Sequence, residues 1–292
     1  MKDLSPLMRL ALVVAVVVIL VGCGYNVAPT SSTFGVSGAA LEPGRNNAGD
    51  TYKIYVVSLF TKFRTFNPEG ERIGRTFNTR LASGVTVDKR GKIYVTISAP
   101  NGQGFLSTFT PHGRPTSPSL NNLFRPTGVA VDANGKIYIA SEDGVTTYTP
   151  DGKPTNPTIP VAARAVAVDK NGKIYVATQG GIGTYTPDGK PTKPTIPGSA
   201  VAVAVDKNGK IYVAGGSVRT YTPNGKQTTP TITAGLDDPV SIAVDPNGKI
   251  FVVNFGTYLG GPFSVTSYTA NGEQTTPTLS NGLTDPVGIA IH

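Results

Sequence analysis

The stretch that decides the fold is Val166-Ala-Val-Asp-Lys-Asn-Gly-Lys-Ile-Tyr-Val-Ala177, followed by Thr184-Tyr-Thr-Pro-Asp-Gly-Lys-Pro-Thr-Lys-Pro-Thr-Ile196. A nearly identical copy begins at Val203. An aspartate ends the first apolar segment of each copy, and the five aspartates lie 44, 37, 37 and 39 residues apart, at Asp88, Asp132, Asp169, Asp206 and Asp245. A period near 40 residues with alternating apolar side chains is typical of the blades of a β-propeller.

Each repeat is predicted to contain four strands. The first is Val-Ala-Val, and the Asp-x-Asn-Gly turn after it uses aspartate to accept backbone N–H groups and glycine to adopt positive φ. The second is Lys-Ile-Tyr-Val-Ala, and the third ends in an aromatic residue such as Tyr148 or Tyr185. A Thr-Pro-Asp-Gly turn leads to a fourth, proline-rich strand. Because proline cannot donate to a ladder, we expect this strand at the outer edge of the blade.

The repeated aspartates have two interpretations, as metal ligands or as caps of their own turns. Their turns lack the spacing of an EF-hand calcium loop. Asp and Asn recur in both repeated turns, which is the usual composition of capped turns. Capping is therefore the prediction for all of them.

The number of blades follows from the Ile-aromatic pair of the second strand. The pair occurs six times, at Ile54-Tyr55, Ile93-Tyr94, Ile137-Tyr138, Ile174-Tyr175, Ile211-Tyr212 and Ile250-Phe251. The first copy has no first strand before it, and Val287–His292 has no second strand after it. If this last segment pairs with Lys53–Ser58, the ring closes and leaves no exposed edge. The prediction is an all-β fold, a six-bladed β-propeller over residues 51–292, with His292 where other blades carry aspartate.

The composition is consistent with a fold of many tight turns. Glycine (35) and proline (24) make up about a fifth of the 292 residues, and only 15% are charged. Such a low charged fraction argues against a coiled coil or a polyelectrolyte tail. A single cysteine excludes a disulfide within the chain and a cysteine-based zinc site, and two histidines exclude a three-histidine metal site.

The N-terminal residues have the pattern of an export signal. Lys2 and Arg9 precede an apolar run, Leu10–Val21, which is shorter than the ~20 residues of a membrane-spanning helix. Leu20-Val21-Gly22-Cys23 then resembles the lipobox of bacterial lipoproteins, in which cleavage precedes the cysteine and the cysteine carries the lipid. We predict a signal peptide over residues 1–22, lipid attachment at Cys23 and a flexible tether over residues 23–50. The alternative is an uncleaved anchor with an incidental cysteine.

The repeats resemble NHL repeats and the wider group of six-bladed propellers. The matching residues are Val-Ala-Val-Asp-x-x-Gly-x-Ile-Tyr-Val-Ala, then an aromatic residue and Asp-Gly, and the resemblance covers about 240 residues. This architecture hosts binding modules, lyases and lactonases alike. Gluconolactonase-like relatives hold a divalent ion with Glu, Asn and Asp, and the streptogramin and peptide-amidating lyases depend on histidine. Here His112 and His292 fall on turns opposite the usual mouth, so the resemblance gives poor support to a histidine-dependent lyase.

The resemblance places the usual binding mouth on two sets of loops, those entering the first strand of a blade and those between its second and third strands. The candidate ligand-binding residues there are Arg125, Glu142, Asp143, Arg164, Asn254 and Tyr258. Glu142-Asp143 is either a cation-binding pair or a solvated acidic loop, because no third ligand can be assigned from spacing. The loop from Asn254 to Phe263 is either an aromatic platform for a ligand or a packing element over the channel.

The net charge of +8 is largely produced by the repeats. Lysines follow or lie within the turns that are expected on one face, at Lys89, Lys92, Lys136, Lys153, Lys170, Lys173, Lys190, Lys207, Lys210, Lys226 and Lys249. This basic face is either a simple solvated surface or a contact for anionic lipids, cell-wall polymers or acidic partners. Nucleic acid is not an expected partner of an exported protein.

Three functional hypotheses remain. The first is a lipid-anchored extracytoplasmic binding module for a protein, glycan or small molecule, with no catalytic residue, metal or cofactor expected. The second is a metal-dependent lactonase or hydrolase with Glu142 or Asp143 at the mouth. The third is a cell-envelope scaffold that uses the basic face. All three place the chain in the cell envelope, facing the periplasm or the exterior, with the N-terminal lipid in the membrane.

Overall fold

The structure is a computed structural model that describes residues 52–256 and 262–292. The predicted signal peptide, Cys23, the predicted tether and Tyr258 lie outside these described residues. The described chain forms six four-stranded antiparallel sheets, each a blade of a closed ring. Within it, no helix is long and apolar enough to cross a membrane.

Every blade has the same strand order from the channel outward. The inner strands are β4 (Ala82–Val87), β8 (Pro126–Val131), β12 (Ala165–Val168), β16 (Ala202–Val205), β20 (Pro239–Val244) and β24 (Pro286–Ile291). The second strands are β1 (Ile54–Ser58), β5 (Ile93–Ser98), β9 (Ile137–Ser141), β13 (Ile174–Thr178), β17 (Ile211–Ala214) and β21 (Ile250–Asn254). The third strands are β2 (Lys62–Phe66), β6 (Gln103–Phe109), β10 (Gly144–Tyr148), β14 (Gly181–Tyr185), β18 (Val218–Tyr221) and β22 (Ser264–Tyr268). The outer strands are β3 (Arg72–Asn78), β7 (Pro115–Phe124), β11 (Pro154–Ile159), β15 (Pro191–Pro197), β19 (Gln227–Ile232) and β23 (Gln274–Leu279).

The predicted split blade is confirmed. Blade 1 consists of β24, β1, β2 and β3, and blades 2 to 6 follow in chain order from β4 to β23. Ile54 lies opposite Ile291 and Tyr55 opposite Ala290. The pairing extends to Lys53 and His292, whose backbone N–H groups donate to each other's carbonyls at 2.6 and 3.1 Å.

The core lies between the blades. Six clusters of buried apolar side chains each combine residues of two adjacent blades, such as Tyr175 and Ile182 of blade 4 with Val203 and Ile211 of blade 5. The second strands are buried on both faces, which explains their continuous Ile-Tyr-Val-Ala composition.

The two ends of the ring are called here the mouth face and the turn face. The mouth face carries the loops that enter the inner strands and those between second and third strands. The turn face carries the turns between first and second strands and between third and outer strands. His112 follows β6 and His292 follows β24, so both lie on the turn face, as predicted.

The aspartates of the repeat cap their turns, as predicted. Asp169 is representative: its Oδ1 accepts the backbone N–H groups of Asn171 and Lys173 at 2.8 and 3.0 Å. Its Oδ2 accepts the hydroxyl of Tyr175 at 3.2 Å. In blades 2 to 5 both oxygens of the carboxylate accept protein donors, and in blade 6, where Phe251 replaces the tyrosine, Asp245 Oδ1 still accepts two backbone N–H groups. These contacts favour capping over metal binding.

The lysine that follows each capped turn is half-buried, so the expected basic face rests mainly on the exposed lysines of the turns, such as Lys153, Lys170 and Lys190. Lys92, Lys136, Lys173, Lys210 and Lys249 are half-buried, each with its ammonium 5.1–5.6 Å from the ring centroid of the aromatic residue two positions later. In blades 2 to 4 the ammonium also donates to a carbonyl of the outer strand of the same blade. A long apolar stem with a charged head suits this crossing of the sheet. We call these five residues the stapling lysines, because in blades 2 to 4 their contacts link the second strand to the outer strand.

Candidate functional site

The mouth is ringed by the six residues that immediately precede the inner strands. In blade order from blade 2 they are Leu81, Arg125, Arg164, Val201, Asp238 and Asp285. Adjacent inner strands contact each other around a closed ring of six, so the third neighbour along the chain lies across the channel. Arg125 is therefore opposite Asp238, and Arg164 is opposite Asp285. The mouth is divided into a basic side and an acidic side.

Four of these six residues have left-handed backbone, which marks the sharp entry into the inner strand. Their φ angles are +66° at Leu81, +37° at Arg125, +50° at Asp238 and +48° at Asp285. Aspartate adopts this region more readily than leucine or arginine. The backbone strain at the mouth is thus greatest at Leu81 and Arg125.

On the basic side, Arg125 and Glu142 form an ion pair. Arg125 Nη1 lies 2.9 Å from Glu142 Oε2, and the two side chains are 21% and 25% exposed. Glu142 Oε1 is buried and has no hydrogen-bond partner among the described residues. A buried carboxylate oxygen normally accepts a hydrogen bond, so this carboxylate uses only part of its acceptor capacity. The adjacent Asp143 is exposed.

The second arginine of the basic side bridges two loops. Arg164 Nη1 lies 3.4 Å from both Ser199 Oγ and the Ala200 carbonyl. Arg219 Nη2 donates to the Ser199 carbonyl at 3.2 Å, so a second guanidinium converges on the same loop. Burial lowers the pKa of Arg164 from its ordinary value. Arg219 was missed at the sequence level, because only packing of blade 5 against this loop brings it to Arg164.

The acidic side consists of Asp237, Asp238 and Asp285. Loss of contact with water raises the pKa of Asp285 above its ordinary value. The same effect raises the pKa of Asp238, with a smaller contribution from the charge of Asp237. A cationic group placed here would offset this cost of ionisation.

Asn254, predicted as a ligand-binding residue, is placed inside blade 6, where it is 1% exposed. Its Oδ1 accepts the backbone N–H of Asp237 at 3.1 Å. Its Nδ2 donates to Ser264 Oγ and Thr266 Oγ1 at 3.1 and 3.0 Å. Asn254 thus fixes the backbone of Asp237 on the acidic side, and its side-chain oxygen and nitrogen are both hydrogen-bonded within the protein.

The long loop after Asn254 is described only at its two ends. There Phe255 and Phe263 pack edge to face, with ring centroids 5.6 Å apart. Tyr258 belongs to the part of the loop outside the described residues.

The described mouth carries opposed charges on its two sides. No group of three His, Cys, Asp or Glu side chains in the described parts of the chain is placed to hold a metal ion. Of the two candidate metal ligands of the hydrolase hypothesis, Glu142 has an arginine as its partner and Asp143 is exposed. The residues present can instead hold a negative group at the arginines and a positive group at the aspartates.

The comparisons with known proteins agree on the fold. A protein of unknown function from Bacteroides caccae superimposes with a TM-score of 0.66 at 13% identity, over 83% of this chain and 99% of that one. A streptogramin B lyase gives 0.58 at 17% identity, over 90% of this chain and 88% of that one. Virginiamycin B lyase from Staphylococcus aureus gives 0.57 at 15% identity, over 83% and 86%. No family model and no curated protein matches the chain. At these identities the likeness shows that the chain shares the propeller fold of these proteins.

Proposed function

We propose that the chain is a non-enzymatic binding module whose mouth recognises a ligand that carries both a positive and a negative group. The observation that carries this proposal is the placement of Arg125 and Arg164 across the channel from Asp238 and Asp285. Opposed charges at a fixed separation select ligands by length as well as by charge.

A short peptide with free termini is the simplest probe of this mouth. We expect trialanine to bind saturably in an isothermal titration, and N-acetylated, amidated trialanine to bind much more weakly, because it lacks both terminal charges. Arg164→Gln should weaken the interaction about tenfold, the value of one charge-assisted hydrogen bond. A matched control is Arg72→Gln, an exposed arginine at the start of β3, which lies at the turn-face end of blade 1. Equal binding of free and capped peptide would contradict the proposal.

We also propose that the propeller is an NHL-like domain held at the cell envelope through a lipid on Cys23. The support is the short apolar run before Leu20-Val21-Gly22-Cys23 and the fact that Cys23 is the single cysteine of the chain. We expect Cys23→Ser to abolish membrane retention and to change electrophoretic mobility. Unchanged retention would contradict lipid attachment and would leave the binding proposal intact, since the two rest on different residues.

A further inference from the structure

Five of the six boundaries between blades share one packing contact on the turn face. In each of these five outer strands the fourth residue is a proline, and it contacts the glycine in the third-to-outer-strand turn of the next blade. A Cβ built on that glycine would come within 2.3–2.7 Å of the proline Cβ, in the pairs Pro118–Gly152, Pro157–Gly189, Pro194–Gly225, Pro230–Gly272 and Pro277–Gly70. The proline therefore fills the space between neighbouring blades.

The boundary between blades 1 and 2 lacks this proline–glycine contact. In β3, Gly74 and Arg75 stand where the other outer strands carry a residue and its proline. The glycine of the next turn, Gly113, contacts the ring of Phe77 instead. A flat ring and a long exposed arginine do not occupy the volume of the missing proline. A cavity of about 390 Å³ opens at this boundary.

The same boundary also lacks the aspartate that the corresponding turns of blades 3 and 4 carry. In blades 3 and 4 this turn pairs its own charges, with Asp151–Lys153 and Asp188–Lys190 at 3.0 Å. In blade 2 the corresponding residues are His112 and Arg114, so the arginine has no carboxylate beside it. His292 likewise replaces the capping aspartate in blade 1.

Lys53 is the sixth member of the stapling lysines, and it has none of their contacts. It precedes Ile54-Tyr55 as Lys92 precedes Ile93-Tyr94. Within the described parts of the chain, no carbonyl, carboxylate or aromatic ring is a partner of the Lys53 ammonium, which lines the cavity instead. Residues 53–77 and residues 111–114 thus both depart from the repeat, and both segments line this cavity.

The cavity combines a cationic rim with an apolar floor. The rim consists of Lys53, Arg75, His112 and Arg114, and among residues 52–256 and 262–292 no acidic side chain lines the cavity. The floor includes Phe63, which is 1% exposed, and Phe77, whose ring stacks on it at 4.3 Å between centroids. Its volume lies within the ~300–1,000 Å³ of small-molecule sites.

We propose that this cavity is a binding site for a soluble phosphate monoester with an aromatic or apolar body. Two guanidinium groups, an ammonium and an imidazole offer more donors than a carboxylate can accept, and arginine pairs with phosphate oxygens in a bidentate manner. The body of the ester packs on Phe77, which itself covers the buried Phe63. This site lies on the turn face, away from the mouth, so it does not depend on the function proposed above.

Phenyl phosphate is the probe, titrated calorimetrically into the full-length protein. We expect saturable binding of one equivalent, and weaker binding of inorganic phosphate, which lacks the apolar body. Arg75→Gln and Arg114→Gln should each reduce the affinity about tenfold. The matched control is Lys153→Gln, at the position of Arg114 in the next blade, and it should leave the affinity unchanged.

A filling variant provides the sharpest test. Gly74→Thr combined with Arg75→Pro copies Thr229-Pro230 of blade 5 and should remove binding; its melting temperature is measured alongside, because Gly74 has a φ of +71° that threonine disfavours. If this variant does not fold, the two arginine variants decide the question. Absence of saturable phenyl phosphate binding, an equal loss in Lys153→Gln, or unchanged affinity in a folded filling variant would each overturn the proposal.

Discussion

Arg125 Nη1 donates to Glu142 Oε2 at 2.9 Å, while the second oxygen of the same carboxylate is buried without a partner among the described residues. The pair therefore holds a half-satisfied acceptor at the mouth of the propeller. Removing the arginine would leave a partly buried carboxylate with no protein donor, which is more costly than removing both partners.

Arg125→Met is expected to lower the free energy of unfolding by about 1–3 kcal/mol, the cost of an unpaired charged group in this environment. Chemical denaturation measures this change. The double variant Arg125→Met with Glu142→Gln should recover part of the loss, because no unpaired charge remains. Additive effects of the two substitutions would show that the pair does not interact in solution.

Asp169→Ala tests the capped turn. The substitution removes the acceptor of two backbone N–H groups and of the Tyr175 hydroxyl, so we expect a loss of about 2–3 kcal/mol in unfolding free energy. Asp151→Ala is the control, since that aspartate lies exposed in the other turn of the repeat. Equal melting temperatures for the two variants would contradict a structural role for the repeated aspartate.

Deletion of residues 287–292 tests the closure of the ring. The deletion removes nearly all of β24, and blade 1 then exposes the edge of β1. We expect a large fall in the melting temperature or failure to fold, and aggregation through the open edge. His292→Ala is the control, because it keeps the backbone pair with Lys53. A truncated chain that melts at the temperature of the intact protein would refute the split blade.

Asp285 gives a pH-dependent prediction. Its pKa is raised in the folded state by loss of contact with water, so the folded protein takes up this proton before the unfolded chain does as the pH falls. The carboxylate therefore opposes folding at pH values above its raised pKa, and this penalty is relieved on acidification towards the ordinary value. Asp285→Asn, which tolerates the left-handed backbone, should raise the melting temperature at neutral pH and change it little near pH 3.

The matching control is Asp143→Asn at an exposed position of the same face. Melting curves of the three proteins at both pH values separate an effect of the mouth from a general effect of net charge. A stabilisation of Asp285→Asn that is the same at both pH values would contradict ionisation as its cause.

The repeat made most of the fold predictable. Capped turns depend on residues two to six positions apart, as at Asp169 and Tyr175, so their signal is contained in a short stretch of sequence. The closure of blade 1 followed from counting unpaired strands. The stapling role of Lys92 was not predictable, because it depends on how a side chain crosses two strands to reach Ser117.

The position of the mouth loops was predictable from the sequence, but the contacts of their side chains were not. Loop topology placed Arg125 and Arg164 correctly, yet the ion pair with Glu142 depends on a rotamer choice across two loops. The burial of Asn254 depends on Ser264 and Thr266, which lie beyond a long loop. Such contacts arise from packing between distant segments and leave no local pattern.

The pairing of Ile54 with Ile291 has a kinetic consequence. The two residues are separated by almost the whole domain, and bringing together the ends of a flexible loop of ~240 residues costs about 5 kcal/mol in chain entropy. Strand β24 is last in chain order, so five complete blades can form before it is available to β1. We therefore expect an open five-blade arc to accumulate during refolding, with ring closure as the slow step. Hydrogen-exchange protection of the Lys53 and His292 amides would measure the rate of this closure.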